Sequence, residues 1–390
     1  MTAGIYNIQF TDLAEQQKRI LPNLEKRISR VLSHGKYIMG PEIFELEAKL
    51  SKFLGVNHSI SCSGGTDALL MVLMALDIGP GDAVFTTPFS FMATAEVISL
   101  LGATPVFVDI DPKTYNMDPD CLEKAIGAVI QNSSSGYPLP KNLKTNRLSP
   151  KCIIPVDIFG LPAGYEAINR IAARFDLFVL EDAAQSFGAE YQNRKAGKLG
   201  HAAATSFFPA KPLGCYGDGG AIFTDDDALA RKLESIRVHG KGSDKYDNVR
   251  IGLNGRLDTL QAAILLEKFE IFENEIRERN RVASLYSKLL KEHFELQTVP
   301  SDCTSVWAQF SVRHELKQKM MEILNRNNIP TAVYYPKPLH CQTAFSYLGY
   351  QPDDFPVSTN LSEHIFSLPM HPYLEDGQIH HICDILLKAV

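Results

Sequence analysis

Ser206-Phe207-Phe208-Pro209-Ala210-Lys211-Pro212-Leu213-Gly214, running into Gly217-Asp218-Gly219-Gly220, sets a lysine directly after a short apolar strand, in a turn rich in proline and glycine. The same unit, an apolar run followed by a turn, recurs on both sides of it. Strands are predicted at residues 59–62, 83–86, 105–109, 153–156, 178–182, 205–208 and 221–224. Apolar residues at helical spacing fill most of the gaps, at 67–76, 93–101, 165–174 and 226–238. Repeated βα alternation predicts an α/β fold with a mostly parallel seven-stranded sheet flanked by helices. Such sheets bind ligands at the carboxyl ends of their strands, which is where the Lys211 turn falls.

Outward from this core, Asp12-Leu13-Ala14-Glu15 has the form of a capping box, and Pro22 suits the first turn of a second helix carrying Leu24, Ile28 and Val31. A further helix follows Gly40-Pro41, with Ile43, Leu46, Leu50 and Phe53 on one side. Residues 131–150, rich in Ser, Asn, Gly and Pro, read as a long surface loop. Beyond 250 come a long helix over 257–277, strands near 309–312 and 331–335, and a last helix over 378–388. We therefore divide the chain into a large domain, 1–250, and a smaller C-terminal α/β domain, 251–390.

The 390 residues are 45% hydrophobic and 22% charged, with a net charge of −6. A mildly acidic chain has no global field to attract nucleic acid, so an anionic ligand needs a local site. Seven cysteines (Cys62, Cys121, Cys152, Cys215, Cys303, Cys341, Cys383) are odd in number and form no CxxC pair, which argues against a disulfide framework or structural zinc. No signal peptide is evident, and no apolar run approaches the roughly 18–20 residues of a membrane helix. A soluble protein of the reducing cytoplasm is expected. His371, His380 and His381 lack the spacing of metal ligands and read as surface residues, so no metal is expected.

A lone lysine after a strand reads as a solvated surface residue. Upstream, however, Glu181-Asp182-Ala183-Ala184-Gln185 ends another strand. Asp182 alone reads as the cap of a following helix. A lysine and a carboxylate at neighbouring strand ends also suit pyridoxal phosphate (PLP). The amine condenses with the cofactor aldehyde, and the carboxylate pairs with the pyridinium nitrogen and keeps the ring an electron sink. Partial burial and a cationic cofactor lower the lysine pKa toward operating pH, where the amine can carry a proton. A third element, Ser63-Gly64-Gly65-Thr66-Asp67, joins a strand to a helix. It is either an ordinary glycine turn with Thr66 or Asp67 near the cap, or an anion site built from free backbone N–H groups and the Thr66 hydroxyl. Neither GxxxxGK[ST] nor GxGxxG occurs at a strand–helix junction, which speaks against nucleotide-triphosphate and dinucleotide binding.

Gly65-Thr66-Asp67-Ala68-Leu69, Phe91-Met92-Ala93-Thr94-Ala95, Glu181-Asp182-Ala183-Ala184-Gln185, Ser206-Phe207-Phe208-Pro209-Ala210-Lys211 and Asn254-Gly255-Arg256-Leu257-Asp258 together resemble the DegT–StrS family of nucleotide-sugar aminotransferases, PLP enzymes of fold type I. The resemblance runs from Phe10-Thr11-Asp12-Leu13 to Ser367-Leu368-Pro369, and its motifs are specific jointly rather than singly. It implies that Lys211 holds the cofactor, Asp182 meets the ring nitrogen, Gln185 reaches the ring hydroxyl and Phe91 stacks on the ring. It further implies that Gly65, Thr66 and Ser206 hold the phosphate, and that Asn254 reaches the phosphate of a neighbouring subunit in a homodimer with shared sites. On its residues alone, Phe91 is equally a core aromatic and Asn254 a turn residue.

Residues 239–266 look most like the 3-aminotransferases, above all those acting on UDP-2-acetamido-2-deoxy-3-oxo-glucuronate with L-glutamate as donor, in O-antigen and hence lipopolysaccharide synthesis. In those relatives the Arg256 position and a His-Tyr pair before proline serve the substrate. Here the pair is Tyr334-Tyr335, followed by Pro336, a departure at the first position. Arg256 suits a carboxylate bidentately, and equally a salt bridge to Asp258 or Glu267. The alternatives are an aminotransferase for another nucleotide-linked 3-oxo or 4-oxo deoxysugar, and a non-catalytic PLP-binding regulatory protein. A sugar dehydratase of related fold would carry histidine in place of Lys211.

Overall fold

In the computed structural model, which describes residues 7–141, 148–244 and 246–390, the short apolar runs form a seven-stranded sheet. Its strands are β1 (His58–Cys62), β2 (Asp82–Thr86), β3 (Thr104–Phe107), β4 (Ser149–Ile154), β5 (Phe178–Asp182), β6 (Ala202–Ser206) and β7 (Gly220–Thr224). They lie in the order β1-β7-β6-β5-β4-β2-β3, and β7 alone runs against its neighbours. The sheet is mostly parallel, as the βα alternation predicts. Three strands of a second, antiparallel sheet follow: β8 (Glu295–Leu296), β9 (Phe310–Arg313) and β10 (Ile365–Leu368).

Eleven α-helices are described: α1 (Leu13–His34), α2 (Pro41–Leu54), α3 (Gly65–Ala75), α4 (Ala93–Leu100), α5 (Pro119–Gln131), α6 (Tyr165–Phe175), α7 (Asp227–Arg237), α8 (Thr259–Leu290), α9 (Lys317–Arg326), α10 (Pro356–His364) and α11 (Asp376–Leu387). Alternation along each strand decides which helices it meets. Leu180, Ala202 and Ala204 point to the face covered by α3, α4 and α7. Val179 points to the other face, under α5 and α6, and Ala203 points there too, under α2 and α8. The helices thus cover both faces of the sheet. Among the described residues, no helix is long and apolar enough to cross a membrane.

Several local expectations need correction. Pro22 does not open a second helix; it sits inside the continuous α1, whose cap Asp12 accepts from the Glu15 backbone N–H at 2.9 Å. The buried stripe Ile20, Leu24 and Val31 continues through the proline, so packing outweighs the one hydrogen bond that Pro22 cannot donate. β6 begins at Ala202 and leaves the sheet at Ser206, instead of covering 205–208; its three alanines carry little strand signal. The long helix runs on from Arg277 to Leu290, about 48 Å in all, because Val282, Ala283, Tyr286 and Leu290 are buried against the C-terminal sheet. Residues 331–335 form no strand: Ala332 bridges Ser367 singly, and Pro330 and Pro336 on either side can donate no ladder bonds. The 131–150 loop is bounded by the end of α5 and the start of β4, and its 142–147 part lies outside the described residues.

Because Pro22 is exposed and interior to α1, Pro22→Ala should restore a helix bond and stabilise α1 by about 1–2 kcal/mol. Slower amide exchange over residues 18–26 would register it, and unchanged exchange would mean that the helix has already relaxed around the proline.

Candidate active site

Asp182 is the last residue of β5, and only 4% of it is exposed. Its backbone is clamped by both neighbours: its N–H donates to Pro155 O at 3.0 Å, and the next N–H, of Ala183, donates to Ala204 O at 2.8 Å. Thr94 Oγ1 donates to its Oδ2 at 2.8 Å, and the Ala184 N–H to its Oδ1 at 3.2 Å. Burial pushes the carboxyl pKa up; the two hydrogen bonds and the Lys211 charge pull it back. A turn follows rather than an α-helix, so Asp182 is not a helix cap.

Lys211 sits in the turn beyond β6, its N–H donating to Phe208 O at 2.9 Å. Its side chain keeps some accessible surface but is enclosed by protein. Burial lowers the amine pKa, opposed by the negative charge of Asp182. The two groups interact through space without a direct ion pair.

α3 starts at Gly65, and its cap residue Gly64 offers no side chain, so the first-turn N–H groups are uncapped. Thr66 and Asp67 lie within the first turn rather than at the cap, and the Ser63 hydroxyl donates to Asp67. The turn packs where only glycine fits. A Cβ on Gly65 would lie 2.7 Å from that of Ser206, and one on Gly220 would lie 2.5 Å from the Gly64 backbone. Gly65, Thr66 and Ser206 are thereby brought together.

Gln185 is oriented from two sides. The Phe159 N–H donates to its Oε1 at 2.8 Å, and its Nε2 donates to Tyr335 Oη at 3.2 Å. The Tyr335 ring lies 6.0 Å from Phe89 and 6.5 Å from Phe91. Phe91 is 58% exposed, which removes the core-aromatic alternative. Tyr334 packs beside Phe10, ring centroids 6.4 Å apart. Asn254 is exposed, and the carbonyl of the next residue, Gly255, accepts from the Ser63 N–H at 3.1 Å, so the Asn254–Arg256 stretch borders the α3 turn. Arg256 makes no ion pair with Asp258 or Glu267; its Nε is buried without a partner, and Glu267 pairs with Arg27.

Three features escaped sequence reasoning. Thr94 lies within the quoted Phe91–Ala95 motif, but its bond to Asp182 spans 88 positions. Asp157, fully buried beyond β4, accepts from Ser186 Oγ at 2.6 Å and from Tyr165 Oη and the Ala163 N–H, each at 2.9 Å. Burial pushes its carboxyl up to about 7. His371 is not a surface residue: it is buried, its pKa pushed down to about 4 by desolvation, and it lines a small cavity of about 10 Å³ with Lys211, Asp12 and Arg279.

Comparison with known proteins shows the family and the fold. The chain is 47% identical over 380 residues to a UDP-2-acetamido-2-deoxy-3-oxo-D-glucuronate aminotransferase of Pseudomonas aeruginosa, covering 97% of this chain and 99% of the relative. A DegT DnrJ EryC1 StrS aminotransferase from Brucella abortus has a similar structure, with a TM-score of 0.93 and 50% identity over 98% of this chain and 99% of that one. NtdA from Bacillus subtilis, solved with bound cofactor PMP, superposes with a TM-score of 0.86 at 28% identity, covering 100% of this chain and 86% of that one. The model of the DegT/DnrJ/EryC1/StrS aminotransferase family matches residues 19–387, and the chain belongs to that family.

Proposed function

We propose that this protein transfers an amino group from L-glutamate to a keto group of a nucleotide-linked sugar, using PLP held at Lys211. One observation carries the reading: an enclosed lysine and a buried carboxylate feel each other's charge, and Ser206, on the strand that leads to the lysine, packs against the uncapped start of α3. The residues fit the cofactor. Asp182 spends one hydrogen bond on each oxygen and keeps acceptor capacity for a ring N–H. Gly65, Thr66 and Ser206 suit the phosphate, Phe91 the ring face, and Gln185 the ring hydroxyl. Asn254, exposed beside the same turn, suits the phosphate of a second copy, so we read the protein as a homodimer of the cytoplasm.

Bound PLP supplies an aldehyde and a ring that withdraws electrons from the carbon carrying the amine. Lys211 Nζ, its pKa lowered by burial, would carry a proton between the donor α-carbon and the cofactor carbon that bore the aldehyde, on the other side of the shared nitrogen. Asp182 would pair with the protonated ring nitrogen and keep it charged. The sugar half-reaction uses the same amine in reverse, which makes the exchange ping-pong. The substrate named for the Pseudomonas relative, together with the unpaired Nε of Arg256, supports a 3-oxo sugar carrying a carboxylate, used in surface polysaccharide synthesis. Tyr334, where a histidine was expected from the family pattern, bears on which sugar is preferred.

Purified protein should be yellow with PLP and bleach on addition of L-glutamate. Lys211→Ala should abolish the bleaching and lower transfer about 10³-fold; bleaching at an unchanged rate would refute the assignment. Against a panel of 3-oxo and 4-oxo nucleotide sugars, Arg256→Ala should raise KM roughly tenfold for a carboxylated sugar and leave a neutral one unchanged. Equal effects on both would remove Arg256 from carboxylate recognition.

A further inference from the structure

Thr94 belongs to no part of the cofactor set just described, yet it makes the shorter of the two hydrogen bonds to the Asp182 carboxylate. It stands in the first turn of α4, three residues after Phe91, and is 1% exposed. Ser90, buried beside it, places its Oγ 3.0 Å from Thr94 Oγ1. A hydroxyl has one proton to give, and an ionised carboxylate only accepts. With Asp182 charged, Thr94 must therefore donate to Asp182, and Ser90 must donate to Thr94. The chain Ser90 to Thr94 to Asp182 has a single direction, and aligned hydrogen bonds strengthen one another.

We propose that Thr94 is a positioning residue whose directed hydroxyl keeps Asp182 ionised and turned toward the cofactor nitrogen; this rests on the reading of the site as a PLP site. Two hydrogen bonds oppose the burial of that charge, and the other comes from a backbone N–H that no side-chain change removes. The surrounding charges do not replace it. Lys211, in the turn beyond β6, favours the ionised form, and the Asp182 charge in turn helps to raise the Asp157 carboxyl beyond β4. Glu181, preceding on β5, is turned to the opposite face, where it accepts from the Gly197 and Leu199 N–H groups. Tyr165 of α6 and Tyr335 feel the Asp182 charge, and both phenols have pKa values raised first by burial. The same short segment thus provides Phe91 for the ring face and Thr94 for the group that meets the ring nitrogen.

The direction of the pH effect follows. Donation from Thr94 lowers the Asp182 pKa, and cofactor affinity that depends on the charged carboxylate is present above that pKa and lost as pH falls through it. Removing the donor raises the pKa, so affinity fails at a higher pH. Thr94→Val removes the hydroxyl while keeping the shape, and Thr94→Ser retains the donor. The whole protein, stripped of cofactor, is titrated with PLP across about pH 5.5 to 8.5, the bound-cofactor absorbance giving the Kd. The melting temperature of the stripped form is measured in parallel.

Thr94→Val should bind PLP roughly tenfold more weakly at neutral pH, with its acid-side loss of affinity shifted upward, and Thr94→Ser should recover both. A wild-type pH profile in Thr94→Val overturns the proposal. So does equal weakening of both variants with an unmoved profile and a lowered melting temperature, the signature of lost packing alone. Should the wild-type protein take up no PLP at any pH, the reading of the whole site fails, and Thr94 has no cofactor to serve.

Discussion

A carboxylate buried at the edge of a sheet is expensive, and the architecture around Asp182 is arranged to meet that cost. Its backbone is tied to β4 through Pro155 and Asp157 and to β6 through Ala204, so the side chain cannot withdraw to solvent. Two donors reach the carboxylate, and the Lys211 charge favours its ionised form. None of these would meet if β4, β5 and β6 were not neighbours in one parallel register. The uncapped start of α3 packs against Ser206 of β6 and Gly220 of β7, at the end of the same sheet. Charge, not cavity size, is the organising quantity here.

The sequence was most legible where one residue type and one periodicity decide the outcome. The apolar run of β5, the proline and glycine turn at Lys211 and the glycines before α3 each announce their geometry locally, and the βα rhythm announces the sheet. It was least legible where tertiary packing overrides a local signal. Ala202-Ala203-Ala204 gives no strand signal until β5 and β7 pair with it on either side. Pro22 signals a break that the buried stripe of α1 does not permit, and the polar run Glu278–Arg281 hides a helix that continues beneath it.

The site divides in the same way. Lys211, Asp182 and Gly65 stand at strand or helix ends, where position alone is informative. Thr94, Asp157 and His371 are informative only through the partners they meet in space, and nothing in their flanking residues announces those partners. Arg256 shows the converse. Its sequence neighbours offered two salt bridges, and the fold gives one of those carboxylates, Glu267, to Arg27, leaving the guanidinium with an unspent donor.

Gln185 is held from above and below, its carbonyl by the Phe159 backbone and its amide by the Tyr335 phenol. Because the amide plane is rigid, fixing the carbonyl fixes the direction of both N–H bonds, one of which is already taken by Tyr335. The remaining N–H therefore points along a heading set jointly by the sheet and by a segment about 150 residues further on. A shift of the tyrosine re-aims that vector without touching the sheet, so the C-terminal part of the chain sets a direction within the site through an uncharged phenol.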